Sequence, residues 1–347
     1  MPEVAYIDAL LNDLAEDLHL YNITRSVSSI FLGGGTPSLF SPDSINRLLR
    51  GIEQLVTLND NLEITLEANP GTFESQKFAE FRALGINRLS IGIQSFDDKL
   101  LKKLGRVHSA REAIDAAEIA HQAGFENFNL DLMFGLPDSS PDNSKTDVAT
   151  AISLQPAHIS FYQLTLEPNT YFHKFPPQLP NDELIFSAQK HCQKLLADHG
   201  YQHYEVSAYS QPGLQCRHNV NYWQFGDYLG IGAGAHGKIT QTLPDKIIRT
   251  FKPKSPEQYL SNTHKNGGTE IISATDLPLE FIMNHLRLKQ GFTTDTYQST
   301  TGLAITTLEP ALTTCLKQEL IIYQDNHYYC SEQGWNFMDN VLEKFMP

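Results

Sequence analysis

Three features of the sequence predict an α/β fold built on a parallel sheet. There are apolar runs of strand length, helical segments between them, and a polar residue near the end of one run after another. The runs are Ser28-Ser29-Ile30-Phe31-Leu32, Glu63 to Ala68, Arg88 to Gln94, Phe128 to Phe134 and His158 to Leu166. Stretches such as Leu89-Ser90-Ile91-Gly92-Ile93 and Leu130-Asp131-Leu132-Met133-Phe134 suit buried parallel strands. An α/β barrel and an open parallel sheet both satisfy this pattern. Either one builds its site at the C-terminal ends of the strands.

The first helix runs from Pro2 to about Leu20, opening almost at Met1. Val4, Ile7, Leu10, Leu11, Leu14 and Leu18 recur there at three- and four-residue spacing among acidic residues. The first strand delivers Gly33-Gly34-Gly35-Thr36-Pro37-Ser38. Residues without Cβ let backbone N–H groups close on a carboxylate or phosphate, although three glycines also suit a plain tight turn. Ser41-Pro42-Asp43-Ser44 opens a second helix through Leu48, Leu49, Ile52 and Leu55. Helices Glu74 to Leu84, Asp97 to Leu104 and one ending at Ser153 separate the later strands, and His121 also falls on a barrel helix.

Pro176, Pro177 and Pro180 mark a departure from the repeat. A helix from Asp182 to Asp198 follows, with Leu184, Ile185, Ala188, Cys192, Leu195 and Leu196 as its apolar set. The segment Tyr201 to Gly237 is rich in aromatic residues and histidine. It holds His218-Asn219-Val220-Asn221-Tyr222-Trp223 and a second glycine-rich loop, Gly230 to Gly237. From about Leu277 a small module begins: a helix through Phe281, Met283, Leu286 and Leu288, another near Leu308 to Leu320, and a hairpin over Ile321 to Tyr329. Helices ending in a short hairpin suggest a winged-helix-like α+β module, read on this acidic chain as packing or partner-binding.

Composition narrows the function. The 347 residues carry 40 acidic and 26 basic side chains, a net charge of −14 that repels a phosphate backbone and argues against nucleic acid as the main partner. No run approaches the ~20 apolar residues of a membrane span, and Met1-Pro2-Glu3-Val4 lacks the basic and apolar regions of a signal peptide, so the expected location is cytoplasmic. Cys192, Cys216, Cys315 and Cys330 form no C-x-x-C pair and read as reduced packing residues.

Thr36, Glu67, Asn69, Gln94, Ser95, Asp131 and Thr165 fall within or just beyond successive strands. Any one of them can simply satisfy backbone at a strand end. A polar residue at every successive strand also allows convergence on one mouth.

Five motifs then carry a resemblance: Gly33-Gly34-Gly35-Thr36-Pro37, Glu67-Ala68-Asn69-Pro70-Gly71, Ser90-Ile91-Gly92-Ile93-Gln94-Ser95-Phe96, Asn129 to Pro137, and His218 to Trp223. In this order they resemble the oxygen-independent coproporphyrinogen III oxidase-like branch of the radical SAM enzymes, and within it the heme chaperones. The resemblance implies a partial (β/α) barrel of the radical SAM type that binds S-adenosylmethionine. It also implies a division into a barrel at 1–180, a barrel-completing region with the heme segment at 181–270, and the winged-helix-like module at 271–347. Carried over by motif, the cofactor residues are Gly34, Gly35, Thr36, Glu67, Gln94, Arg106, Asp131 and Thr165. Gly34, Gly35 and Thr36 would meet the methionine end or its neighbour, and Glu67 a ribose hydroxyl or the amino group. Arg106 can fork onto a carboxylate, and Asp131 can accept from hydroxyls.

The family's chemistry needs C-x-x-x-C-x-x-C thiolates to hold a four-iron, four-sulfur cluster, and this sequence has no such motif. The helix at Pro2 resembles the one that follows that loop, which places the first strand and the cluster loop upstream of Met1. An absent first strand would also leave the apolar edge beside Ile30-Phe31-Leu32 open. The polypeptide as given is therefore not expected to cleave S-adenosylmethionine reductively. For heme, His218 offers an axial imidazole and Tyr222 and Trp223 aromatic cover, with Cys216 as a weaker thiolate alternative. Two functions follow from the resemblance: a chaperone handing heme to acceptor proteins, or an oxidase decarboxylating coproporphyrinogen III.

Overall fold

The computed structural model describes residues 2–71, 75–242, 245–262, 265 and 267–346, with backbone alone at 242 and 245. Its contacts divide the chain into two compact units. One comprises Ser28–Ile45 and Asn61–Cys216, the other Met1–Val27, Asn46–Asp60 and Arg217–Pro347.

The first unit is organised on a seven-stranded sheet of order β1-β2-β3-β4-β5-β7-β6. The strands are β1 (Val27–Leu32), β2 (Leu58–Ala68), β3 (Arg88–Gln94), β4 (Asn127–Phe134), β5 (His158–Gln163), β6 (Gln202–Glu205) and β7 (Ala208–Ser210). From β2 through β5 the pairing is parallel, and β7 then joins β5 antiparallel. β1 lies at the sheet edge, with no strand beyond it among the described residues.

Side chains alternate across a strand, so register assigns each residue to a face. Leu66, Leu89, Ile91, Phe128, Leu130, Ile159 and Phe161 share one face and are buried. Helices pack behind it: Phe78–Ala83 meets Ala110–Gln122, and Pro141–Ser153 meets Asp182–Asp198. The other face carries Thr65, Glu67, Arg88, Ser90, Asn129, Asp131, His158 and Ser160. A fully apolar reading of these strands thus misses a polar face that threads through them.

The expected strands are present with shifted ends. β2 begins at Leu58 rather than Glu63, and β5 ends at Gln163 rather than Leu166, because only the Leu164 N–H still reaches Phe134 O before the chain leaves the sheet. Glu74, the expected start of one helix, lies outside the described residues; the helix over Phe78–Ala83 is present. The helix Ala110–Gln122 starts at a capping box in which Ser109 and Glu112 exchange bonds with each other's backbone.

The second unit contains the first helix, Glu3–Leu20, and an antiparallel sheet of order β10-β9-β8, formed by β8 (His236–Thr242), β9 (Asp245–Phe251) and β10 (Gly268–Ile271). Ile7, Leu10 and Leu14 are buried on the helix, while Val4 is exposed. Its C-terminal part sets helices Leu277–His285, Thr294–Thr301 and Ala311–Lys317 before a hairpin of β11 (Ile321–Gln324) and β12 (His327–Cys330). Phe281, Ile282, Phe292, Tyr297, Leu312 and Ile321 form its core.

Candidate functional site

The glycine loop leaves β1 in a conformation that glycine favours: φ is +77° at Gly34 and +60° at Gly35. A Cβ at Gly33 would sit 2.4 Å from the Phe31 ring and 3.1 Å from the Glu67 carboxyl carbon, so a side chain there requires the Phe31 ring to shift. The turn that follows is held by Lys77, whose Nζ donates to the carbonyls of Ser38, Leu39 and Phe40 at 3.1, 3.0 and 3.1 Å.

Around this loop the sheet gathers several of the expected residues. The Gly34 N–H donates to Glu67 Oε2 at 2.9 Å, and Asn69 Nδ2 donates to Thr36 Oγ1 at 3.3 Å. The first loop donor is therefore taken by a side chain, which spacing alone does not reveal. Burial raises the Glu67 pKa, opposed by the Gly34 bond and reinforced by the charge of Asp131. Asp131 is half-buried, accepts from Asn129 Nδ2 at 2.8 Å and Ser90 Oγ at 3.1 Å, and has its own pKa raised by burial. Two carboxylates within electrostatic reach on a half-dry polar face suit a ligand that brings hydroxyls or a cation.

Gln94 is buried with φ of +70°, an uncommon conformation for a non-glycine residue, and accepts from the Tyr162 hydroxyl at 2.7 Å. Beside it, a Cβ at Gly92 would lie 3.1 Å from Gln94 Nε2 and 3.7 Å from Asn69 Oδ1, so glycine keeps a gap between those two amides. Loop, carboxylates, amides and gap have the polar donors and acceptors that the handles of S-adenosylmethionine require. Two expected residues stand apart. Thr165 is exposed and bonded to Glu167, and Arg106 is exposed, with its charge still acting on the Tyr162 phenol. Ser95 serves structure, donating to the buried Asp147 at 2.7 Å.

In the second unit, Arg217–Trp223 is a helix. His218 is 8% exposed, its ring edge-on to Tyr222 at 6.1 Å, and Tyr222 meets Tyr228 in the same way at 4.6 Å. The Trp223 ring is covered by the Arg287 guanidinium at 4.2 Å, and its indole N–H is buried without a hydrogen-bond partner. These residues provide the imidazole, the rings and an orphaned donor that heme can use. Ligation by so buried an imidazole requires local movement of the helix. The second glycine loop is occupied with structure: Gly232 N–H reaches Asp13 and Tyr259, Ala233 N–H reaches the Tyr6 hydroxyl, and Gly234 N–H reaches Pro253 O.

Comparison with known proteins bears on this arrangement. Residues 6–146 match the radical SAM superfamily, and residues 272–337 match the HemN C-terminal domain. The chain is 43% identical to heme chaperone HemW of Escherichia coli (strain K12), over all of this chain and 91% of the relative. It is also 43% identical to heme chaperone HemW of Haemophilus influenzae, over 100% and 91%. Among solved structures it resembles coproporphyrinogen III oxidase (HemN) from Escherichia coli, with a TM-score of 0.82 and 19% identity over 99% of this chain and 83% of that one. That likeness shows the fold, a radical SAM-type partial barrel.

Proposed function

Because the chain belongs to the HemW family of heme chaperones, we propose that it binds heme and S-adenosylmethionine and passes heme to acceptor proteins. The full-length relation at 43% identity carries this reading. The likeness to the oxidase, at 19% identity, supports the shared fold and favours no oxidase activity.

In this reading the nucleoside cofactor lies over the polar face. Gly34, Gly35 and Thr36 meet the methionine end, and Glu67 exchanges the Gly34 amide for a ligand amino or hydroxyl group. Gln94 and Asp131 hold the remaining polar edges, with Arg106 and Thr165 closing from the surface. Cluster chemistry is not assigned to this 347-residue chain. Cys192, Cys216, Cys315 and Cys330 are all buried, and burial pushes the thiols of Cys192 and Cys330 up to about 12, opposite to what an iron ligand needs. Anaerobic treatment with iron and sulfide should leave no thiolate-to-iron absorption band. A stoichiometric cluster would overturn this part.

For heme, His218 is the proposed axial ligand. The unaltered chain should bind heme with a Soret band that His218→Ala shifts or abolishes and His121→Ala leaves alone. An unchanged spectrum in His218→Ala removes the ligand assignment. If the unaltered chain binds no heme yet consumes coproporphyrinogen III, the oxidase replaces the chaperone.

A further inference from the structure

Behind Asp131 lies a chain of side chains that the cofactor reading does not use. The Cys216 N–H donates to the Tyr204 hydroxyl at 3.3 Å, and that hydroxyl is 2.8 Å from His158 Nε2. His158 Nδ1 lies 2.7 Å from Asn129 Oδ1, and Asn129 Nδ2 donates to Asp131 Oδ1 at 2.8 Å. His158 and Asn129 are 1% and 2% exposed, so neither can fall back on bulk water.

Hydrogen-bond inventory fixes the direction of this chain. The Asn129 amide nitrogen has two hydrogens, and both are used, on Asp131 Oδ1 and on Ser90 Oγ at 2.8 Å. Its oxygen is therefore the acceptor facing His158, and also accepts from Ser160 Oγ at 3.1 Å. The proton then sits on His158 Nδ1, and Nε2 accepts from Tyr204. Every donor points toward Asp131. Ser90, which receives from Asn129, passes its own hydrogen to Asp131 Oδ2 at 3.1 Å. Both carboxylate oxygens are thus held from the sheet side, and a chain polarised in one direction strengthens each bond in it. Register supports the arrangement, since Ser90, Asn129 and His158 are consecutive cross-strand partners, as are Asp131 and Ser160.

We propose that His158, acting through Asn129, is a positioning residue that aims the Asp131 carboxylate as an acceptor toward a vicinal diol, the ribose of a nucleoside ligand. The proposal rests on the reading of Asp131 as a cofactor contact, and the test separates the two. The probes are S-adenosylhomocysteine and its 2′,3′-dideoxy counterpart, measured by calorimetry. The unaltered chain should prefer the diol by about 10- to 100-fold, the range for hydrogen bonds to a charged group. His158→Phe should reduce that preference to about threefold or less while leaving the affinity of the dideoxy ligand unchanged. His158→Gln, which keeps an N–H for Asn129, should retain most of it. Tyr204→Phe, which loses one hydroxyl and keeps its ring, provides a milder second variant and should reduce the preference in part.

If the unaltered chain shows no preference for the diol, or Asp131→Ala leaves the preference intact, the cofactor reading of Asp131 fails. If Asp131→Ala removes the preference but His158→Phe and Tyr204→Phe keep it, the relay is overturned and the Asp131 reading stands. Nitrogen chemical shifts of the His158 ring add a readout without ligand: a neutral Nδ1–H tautomer is expected, and an Nε2–H tautomer overturns the proposal.

Discussion

At Gly34 and Gly35 what calls for glycine is a backbone angle. A Cβ at either position meets nothing within 4 Å, so a larger residue suffers from conformation and not from a clash. Gly35→Ala should therefore cost about 1–2 kcal/mol in a urea titration, the penalty for an L-residue in the left-handed region. Gly33→Ala carries no left-handed penalty and instead sets a methyl group against Phe31 and Glu67, so its cost depends on how far the partly exposed Phe31 ring shifts. Equal stability of Gly35→Ala and the unaltered chain would mean that the loop relaxes to negative φ. The glycine run was legible in the sequence as a loop that admits close approach. The bond from Gly34 to Glu67 was not, because it joins residues 33 positions apart through a choice of rotamer that no local pattern encodes. Tyr162, Asn129 and His158 were missed for the same reason: each looks like strand filler until register puts it on the polar face with Gln94 or Asp131.

Among the elements, the first helix shows how far periodicity reaches. Its spacing identified a buried stripe, and Ile7, Leu10 and Leu14 are on it. Asp13 and Asp17 are among the acidic residues between the apolar positions, yet both are buried and bonded to Lys252 Nζ, at 2.6 Å for Asp13 and 2.8 and 2.9 Å for Asp17. A cation 239 residues from Asp13 leaves no local trace in the sequence. The strands β8 and β9 were hidden too, because their polar-rich sequences, such as Lys238-Ile239-Thr240-Gln241, alternate only weakly. Lys252→Met should destabilise the protein by about 3–5 kcal/mol, since it strands two buried carboxylates. Asp13 also holds the Gly232 N–H and the Tyr259 hydroxyl, so the loop after Gly230 should lose hydrogen-exchange protection in the same variant. A loss under about 1 kcal/mol would show that water reaches the pair.

For the whole molecule, pH acts with opposite sign on one buried group in each unit, His285 and Asp147. Burial pushes the His285 imidazole, stacked on Phe281 at 4.0 Å, down to about 4 from 6.5. Its contribution is complete above pH 6.5 and is lost as pH falls toward 4, because the unfolded chain takes up the proton first. Asp147 is pushed up to about 6 from 3.8, again by burial, so its contribution is complete below pH 3.8 and is lost as pH rises through 6. His285 lies in the unit that contains both tryptophans, Trp223 and Trp335, and Asp147 lies in the other. Tryptophan fluorescence therefore follows the His285 unit, while far-ultraviolet circular dichroism follows both. Between pH 6.5 and 4 the unfolding free energy followed by fluorescence in urea should fall, by about 3 kcal/mol at most from this one residue, and His285→Phe should flatten that fall. Asp147→Asn should leave the fluorescence curve unchanged and alter only the dichroism transition. Identical pH slopes for His285→Phe and the unaltered chain would show that the imidazole is wetter than its burial implies. Coincident transitions at every pH would show that the two units unfold together, and the two residues would then partly cancel in one curve.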